Sequence, residues 1–159
     1  MKKFIGAISL FLSFNASAFT VSDVMETYRL SNISPAEWAK NGDSMTVTSV
    51  TPDRTIKISA ATDYVVLESM VAKRYDVSDT VREYDFNTYG FGPCYRLIGL
   101  IYESSGTWDD PISDESKYLD SIFSEDLKIH DKRSGRFKKW DVYYERTYSG
   151  ALCSVTQHK

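Results

Sequence analysis

Residues 127–155 read LKIHDKRSGRFKKWDVYYERTYSGALCSV, and this stretch decides the fold. Ser134-Gly135 and Ser149-Gly150 supply the small, conformationally free pairs that two-residue hairpin turns require. Their spacing predicts a three-stranded antiparallel meander. The first turn sets Ile129 opposite Trp140 and Leu127 opposite Val142. It also sets Asp131 against Lys138 and Lys128 against Asp141, both attractive pairs. The second turn sets Cys153 opposite Arg146 and Val155 opposite Tyr144, on the face that carries Trp140. Cys153 therefore points inward.

Working back along the chain, Met45, Val47 and Ser49 alternate, as do Ile56 and Ile58, on either side of Thr51-Pro52-Asp53-Arg54. That tetrapeptide has the composition of a type I turn. Counting outward from it places Val47 opposite Ile58 and Ser49 opposite Ile56. Residues 64–75 fit a helical stripe of Tyr64, Leu67, Val71 and Tyr75, but Val65, Val66 and the strands before them favour a strand. A further strand is expected over 81–89, with Tyr84 and Phe86 inward. Gly90-Phe91-Gly92-Pro93 reads as a turn, and residues 94–102 as an apolar central strand.

Helical signals flank these strands. Val21, Val24, Met25 and Tyr28 form one apolar stripe, with Thr20 or Ser22 as cap. Ser34, Pro35 and Glu37 spell a capping box with proline at the first helical position, Asn41-Gly42 ends that short helix, and Trp38 plugs the core beside it. After a loop over 104–110, Ser113 caps a helix whose first turn holds Asp114 and Glu115, favoured by the helix dipole. Leu119, Ile122, Phe123 and Leu127 are its apolar stripe. The expected fold is α+β: a rolled or barrel-like antiparallel sheet with two short N-terminal helices and one crossing helix.

The N-terminus sets the compartment. Lys2-Lys3, an apolar run from Phe4 to Phe14, and small residues at Ala16 and Ala18 read as a secretory signal over residues 1–18, with Phe19 as first mature residue. An uncleaved membrane anchor is the alternative, although the run is short for a span of about 20 apolar residues. Residues 19–159 then form a single periplasmic domain. Without Lys2 and Lys3 the mature part has 17 basic and 22 acidic residues, a formal charge of −5, which argues against nucleic acid as a partner. The only cysteines, Cys94 and Cys153, make an even pair in an oxidising compartment and predict one structural disulfide.

No G-x-S-x-G, H-E-x-x-H, phosphate-binding loop or dinucleotide fingerprint occurs, so the sequence points to a binding module rather than an enzyme, with no cofactor. Asp109-Asp110 with Asp114-Glu115 suits a weak cation site or, more simply, helix capping and loop solvation. The basic run from Lys128 to Lys139 is either a docking patch for an acidic partner or a solvated hairpin tip that blunts edge pairing. Tyr64, Tyr84, Phe86 and Trp140 are candidate linings of an apolar cavity for an amphipathic steroid or fatty acid, or else plain core. Tyr143 projects from the opposite face as a candidate contact for a partner.

Ser113-Asp114-Glu115, the helix bearing Leu119, Ile122 and Phe123, then Lys139-Trp140-Asp141-Val142 and Glu145-Arg146-Thr147, resemble the closing section of the ToxS family. Glu37-Trp38 is similar to that family's early Glu-Trp, and the related co-regulators VtrC, PsaF and MyfF share the size and export layout. The cysteine pair and the cleavable-looking leader depart from ToxS itself. The resemblance implies a lipocalin-like barrel completed by the periplasmic domain of a membrane-bound transcriptional activator. The co-regulator would form a heterodimer with that domain and stabilise it at the periplasmic face of the inner membrane, controlling virulence or fimbrial genes. In some members the pair binds a bile salt or another small signal. The acidic charge supports a rival expectation, a periplasmic immunity or inhibitor protein against a secreted toxin or wall hydrolase.

Overall fold

A computed structural model describes residues 19–29, 31–73, 78–105 and 114–158. Helix α1 (Val21–Arg29) and a single 3-10 turn (Pro35–Glu37) precede the strands β1 (Ala39–Asn41), β2 (Ser44–Val50), β3 (Arg54–Ala61) and β4 (Tyr64–Val71). A long helical segment follows: α2 (Asp79–Asp85), one π-helical stretch (Phe86–Phe91) and α3 (Gly92–Ser105). Helix α4 (Asp114–Ile122) and strands β5 (Lys132–Phe137), β6 (Trp140–Arg146) and β7 (Gly150–Gln157) complete the order. All strands join one antiparallel sheet in the order β1-β2-β3-β4-β7-β6-β5. β1 and β5 are its two edges and do not pair with each other, so the sheet is open. The fold class is therefore α+β with an antiparallel sheet. Among the described residues no helix is long and apolar enough to cross a membrane.

Alternation sorts the sheet into two faces. Val47, Ile56, Ile58, Val65, Leu67, Val142, Tyr144, Cys153 and Val155 are buried on one face. The helices add Val24, Tyr28, Leu97, Leu100, Ile101, Leu119, Ile122 and Phe123 to the same core. Burying each such side chain contributes roughly 1.5–3 kcal/mol relative to exposure. Phe19 closes one end, its ring stacked 4.5 Å from that of Trp140. Helix α1 begins on a reciprocal cap: Asp23 N donates to Thr20 Oγ1 at 3.2 Å, and Thr20 N donates to Asp23 Oδ2 at 2.6 Å.

The β2–β3 hairpin follows the turn chemistry, with Val47 opposite Ile58 and Ser49 opposite Ile56. Residues 64–71 form strand β4 as expected. The Ser34–Glu37 capping box is present, but it caps one 3-10 turn. Asn41-Gly42 does not end a helix. Gly42, at φ +60°, turns β1 into β2, with Asn41 paired to Ser44.

Residues 79–105 overturn two expected strands and the turn between them. Ser78 caps α2, its Oγ accepting from Val81 N. Gly90-Phe91-Gly92-Pro93 does not break the helix, because the π-turn widens there: Gly92 N donates to Asn87 O, five residues back. Proline lacks a donor and crowds the preceding turn, so an added residue accommodates it where a regular α-turn would kink. α3 then runs under the sheet with Leu97, Ile98, Leu100 and Ile101 buried. An apolar run buried on several sides does not reveal its period.

The meander forms, in a different register. β5 pairs with β6 through Phe137↔Trp140 and Gly135↔Val142, so the turn is Lys138-Lys139, with Lys138 at φ +52°. Gly135 lies within β5 because α4 presses on it: a Cβ there would sit 2.2 Å from Tyr118 Oη. β6 and β7 join through Tyr148-Ser149, with Arg146 opposite Ala151 and Cys153 opposite Tyr144. Gly150 is already in β7, where a Cβ would lie 1.9 Å from the carbonyl oxygen of Ser69. Both registers shift by an even number of residues, so the residues that remain in strands keep their expected face, whereas Ile129, expected opposite Trp140, lies before β5 and is exposed. The Leu119, Ile122, Phe123 and Leu127 stripe is buried as expected. The Ser113 cap and Asp109-Asp110 lie outside the described residues, as do residues 1–18.

Candidate functional site

Cys94, near the start of α3, and Cys153, in the middle of β7, form a disulfide with Cα atoms 5.8 Å apart, both fully buried. It pins the helical segment to the sheet, one strand away from a second fastening at Arg146. Alternation from Trp140 through Val142 and Tyr144 carries Arg146 onto the core face, where a cation needs partners. Its guanidinium lies 3.8 Å from the centre of the Phe86 ring. It donates to both carboxylate oxygens of Glu83, at 3.2 and 2.9 Å, and to the carbonyls of Leu127 at 2.8 Å and Glu125 at 3.4 Å. Its side chain is 14% exposed, against 52% for Glu83. Arg146 thus ties α2, the π-turn and the α4–β5 connection to β6.

Beside this knot opens a cleft of about 700 Å³. Val71, Phe86, Ile129 and Tyr148 give it apolar walls, and Lys73, Arg82, Arg146, Asp79, Glu83 and Asp85 line it as well, with Arg82 paired to Asp79 and Arg146 to Glu83. Such a cleft can hold a small amphipathic molecule whose polar end competes for the Arg146–Glu83 pair. Tyr144, two residues before Arg146 on the core face of β6, packs with Phe91 edge-on at 5.7 Å and Phe123 tilted at 5.8 Å, and burial pushes its phenol well above the ordinary range.

The predicted aromatic lining does not assemble. Trp140 is fully buried against Phe19 in the core, and Tyr84 is 64% exposed on α2. Tyr64 lies on the outer face of the sheet, its hydroxyl 3.3 Å from Ser59 Oγ. Of the four, only Phe86 reaches the cleft, from a π-turn rather than a strand. Helical geometry at 79–91 is what separates Tyr84 from Phe86. Tyr143 does stand on the face away from the helices, beside the Tyr64 column. Its hydroxyl donates to Glu145 Oε2, and that bond pushes its pKa up to about 12. Arg146 was not singled out as a site residue by sequence reasoning. The available signal was an arginine at an inward position of a strand.

The sheet's outer face and its β5 edge are the remaining surfaces. β5 pairs with β6 alone among the described strands, and its exposed Lys132, Arg133, Ser134 and Arg136 run along the edge. Arg133 Nη1 reaches the Ser121 carbonyl of α4, and Arg136 Nε donates to Asp141 at 3.1 Å. Hydrogen bonds from Arg136 and His158 hold the Asp141 carboxyl below the usual carboxylate range. Among the described residues no group of three or more His, Cys, Asp or Glu is placed to hold a metal ion. Comparisons with known proteins returned no family model, no curated protein and no solved structure that matches the chain.

Proposed function

We propose that the chain is an exported accessory regulatory protein that binds and stabilises the periplasmic domain of a membrane-bound transcriptional activator, and so controls virulence or fimbrial genes. The observation that carries this reading is the open sheet: a seven-stranded antiparallel layer in which, among the described strands, β5 pairs on one side only, with β6. Such an edge is a template for a strand from another chain. In this reading the sheet is a lipocalin-like barrel left incomplete, and the activator supplies the closing segment to make a heterodimer. The leader-like residues 1–18 and the buried disulfide fit an oxidising, periplasmic setting at the inner-membrane face. The cleft beside Arg146 is the place where a bile salt or fatty acid would seat, with no direct contact to nucleic acid by this chain.

The test is to look beside the gene for one encoding a membrane-bound activator, co-express its periplasmic domain with the chain, and follow amide exchange on the purified complex. A stable one-to-one complex with slowed exchange across residues 132–137 is expected. A complex that protects other segments would refute the edge mode, and no complex would refute the regulator. The net acidity of the mature part favours one rival, the immunity or inhibitor protein. Recovery of a basic wall hydrolase whose activity falls on binding would establish it instead.

A further inference from the structure

The face of the sheet turned away from the helices carries hydroxyls in register across the strands. Thr46, Ser59, Val66, Ser154, Tyr143 and Ser134 are paired neighbours on β2, β3, β4, β7, β6 and β5. Five of these six bear a hydroxyl, and strand spacing makes the row about 24 Å long. The next row adds Tyr64, Thr156, Asp141 and Arg136. At the β5–β6–β7 end the face dips into a shallow groove of about 560 Å³ lined by Ser134, Arg136, Asp141, Tyr143, Ser154 and Thr156. Gly135 and Val142 line it too, but the Val142 side chain is buried on the other face, so the Tyr143 ring is the large apolar surface of the groove. A surface shaped for a protein would place apolar anchors at this centre.

The charges on this face cancel locally. Lys57 meets Glu68 at 3.4 Å, Arg136 meets Asp141 at 3.1 Å, and Lys132 lies opposite Glu145 in the strand register. A face balanced in this way exerts little net pull on an ionic partner and suits an uncharged one. What it does offer is a ladder of hydroxyls at regular intervals, a carboxylate–guanidinium pair able to accept from and donate to adjacent hydroxyls, and a fixed aromatic ring. The ring is fixed because the Tyr143 hydroxyl is tied to Glu145 two residues along the same strand. Those are the elements that hold a sugar: hydrogen bonds at its rim and an aromatic platform for its C–H face.

We propose that this groove binds an uncharged, extended oligosaccharide laid across the strands, with Tyr143 as the platform. Ser134, Ser154, Thr156 and the Arg136–Asp141 pair hydrogen-bond its hydroxyls. The periodicity selects a straight chain over a coiled one, because only a straight chain keeps successive rings over successive strands. The site shares the Ser134 and Arg136 side chains with the β5 edge strand but lies apart from the Arg146 cleft, and binding of sugar by the chain alone is read without the activator, so its failure is distinct from failure of the activator-binding reading.

The experiment titrates the oxidised chain alone with cellohexaose, chitohexaose and maltohexaose, followed by calorimetry and by amide chemical shifts of residues 134–156. Saturable binding of either extended sugar, with a Kd on the order of 1 mM or tighter, is expected, and at least tenfold weaker binding of coiled maltohexaose. Tyr143→Ala should weaken binding by about tenfold or more, whereas Tyr143→Phe, which keeps the ring, should stay within about threefold. Ser154→Val should lose several-fold, and Glu83→Gln, in the other cleft, should change nothing. All three positions are at least partly exposed, so circular dichroism and the unfolding midpoint verify that each of the four variants is folded. Absence of saturable binding to all three sugars overturns the proposal. So does binding that tolerates Tyr143→Ala, or equal affinity for maltohexaose.

Discussion

Removing the Cys94–Cys153 bridge with the double variant Cys94→Ala/Cys153→Ala leaves no stray thiol and tests the largest single constraint on the fold. The bridged residues are 59 apart in sequence. In the chain-entropy picture, opening a loop of that length returns about 4 kcal/mol of freedom to the unfolded chain. Both sulfurs are fully buried, so the two truncations add roughly 1 kcal/mol each for lost packing. A domain of about 140 residues unfolds with an entropy near 0.3 kcal/mol/K, so the 4 kcal/mol alone lowers Tm by about 14 °C. Thermal unfolding followed by tryptophan emission, to which the buried Trp38 and Trp140 contribute, reads the shift directly. The same burial predicts that dithiothreitol cleaves the native bond only as fast as the molecule unfolds. A Tm drop under about 5 °C, or rapid reduction of the folded protein, would refute the reasoning, because it would mean that α3 is not held against β7.

The Arg146 knot makes an asymmetric prediction: Arg146→Met should cost about 2–4 kcal/mol in denaturant unfolding, through the lost charged hydrogen bond to Leu127 and the lost contact with Phe86. Glu83→Gln should cost less than about 1 kcal/mol because that carboxylate is half exposed, and equal losses would contradict the assignment. Gly150→Ala should destabilise by several kcal/mol, about 3 or more, since its Cβ meets a backbone oxygen of β4 that cannot turn aside; a neutral result in chemical denaturation would place β7 elsewhere. Ultraviolet titration of the folded protein should leave Tyr28, Tyr143 and Tyr144 protonated at about pH 11, whereas all tyrosines ionise near 10 in denaturant. Tyr143 has a folded pKa above its unfolded one, so its contribution is complete below about pH 10 and fades as pH rises toward 12. Glu145→Gln should bring the Tyr143 midpoint back down.

Turn signals were legible where a residue pair could serve one purpose and misleading where a glycine could serve two. Pro52-Asp53 could serve only as a turn, and the β2–β3 register follows from it residue by residue. Gly135 and Gly150 look like turn residues, yet neither supplies a positive φ. Each is glycine because something lies where its side chain would be, Tyr118 in one case and the Ser69 carbonyl in the other. Close approach between distant segments leaves no local mark. The faces survived the slip in register, which is why Cys153 was correctly placed inward and Tyr143 outward. The helical segment 79–105 was illegible because its tyrosines, phenylalanines, leucines and isoleucines show no clear period, and because a proline sits mid-way. The site suffered most from this, since Tyr84 and Phe86 share a face only in a strand. Arg146 was readable in principle from strand alternation alone.

The extra residue in the π-turn acts as a phase setting for everything on either side of it. Each residue of a helix advances the screw by about 100° and 1.5 Å. Upstream, Glu83 and Phe86 must face β6 to meet Arg146, and downstream, Cys94 must face β7 to meet Cys153. Deleting one residue between 87 and 91 would restore a regular α-helix and at the same stroke rotate one anchor out of line with the other. A molecule with the better local hydrogen bonds could then satisfy its ion pair or its disulfide, but not both. Point substitutions in this segment are a matter of degree, whereas its length is all or nothing.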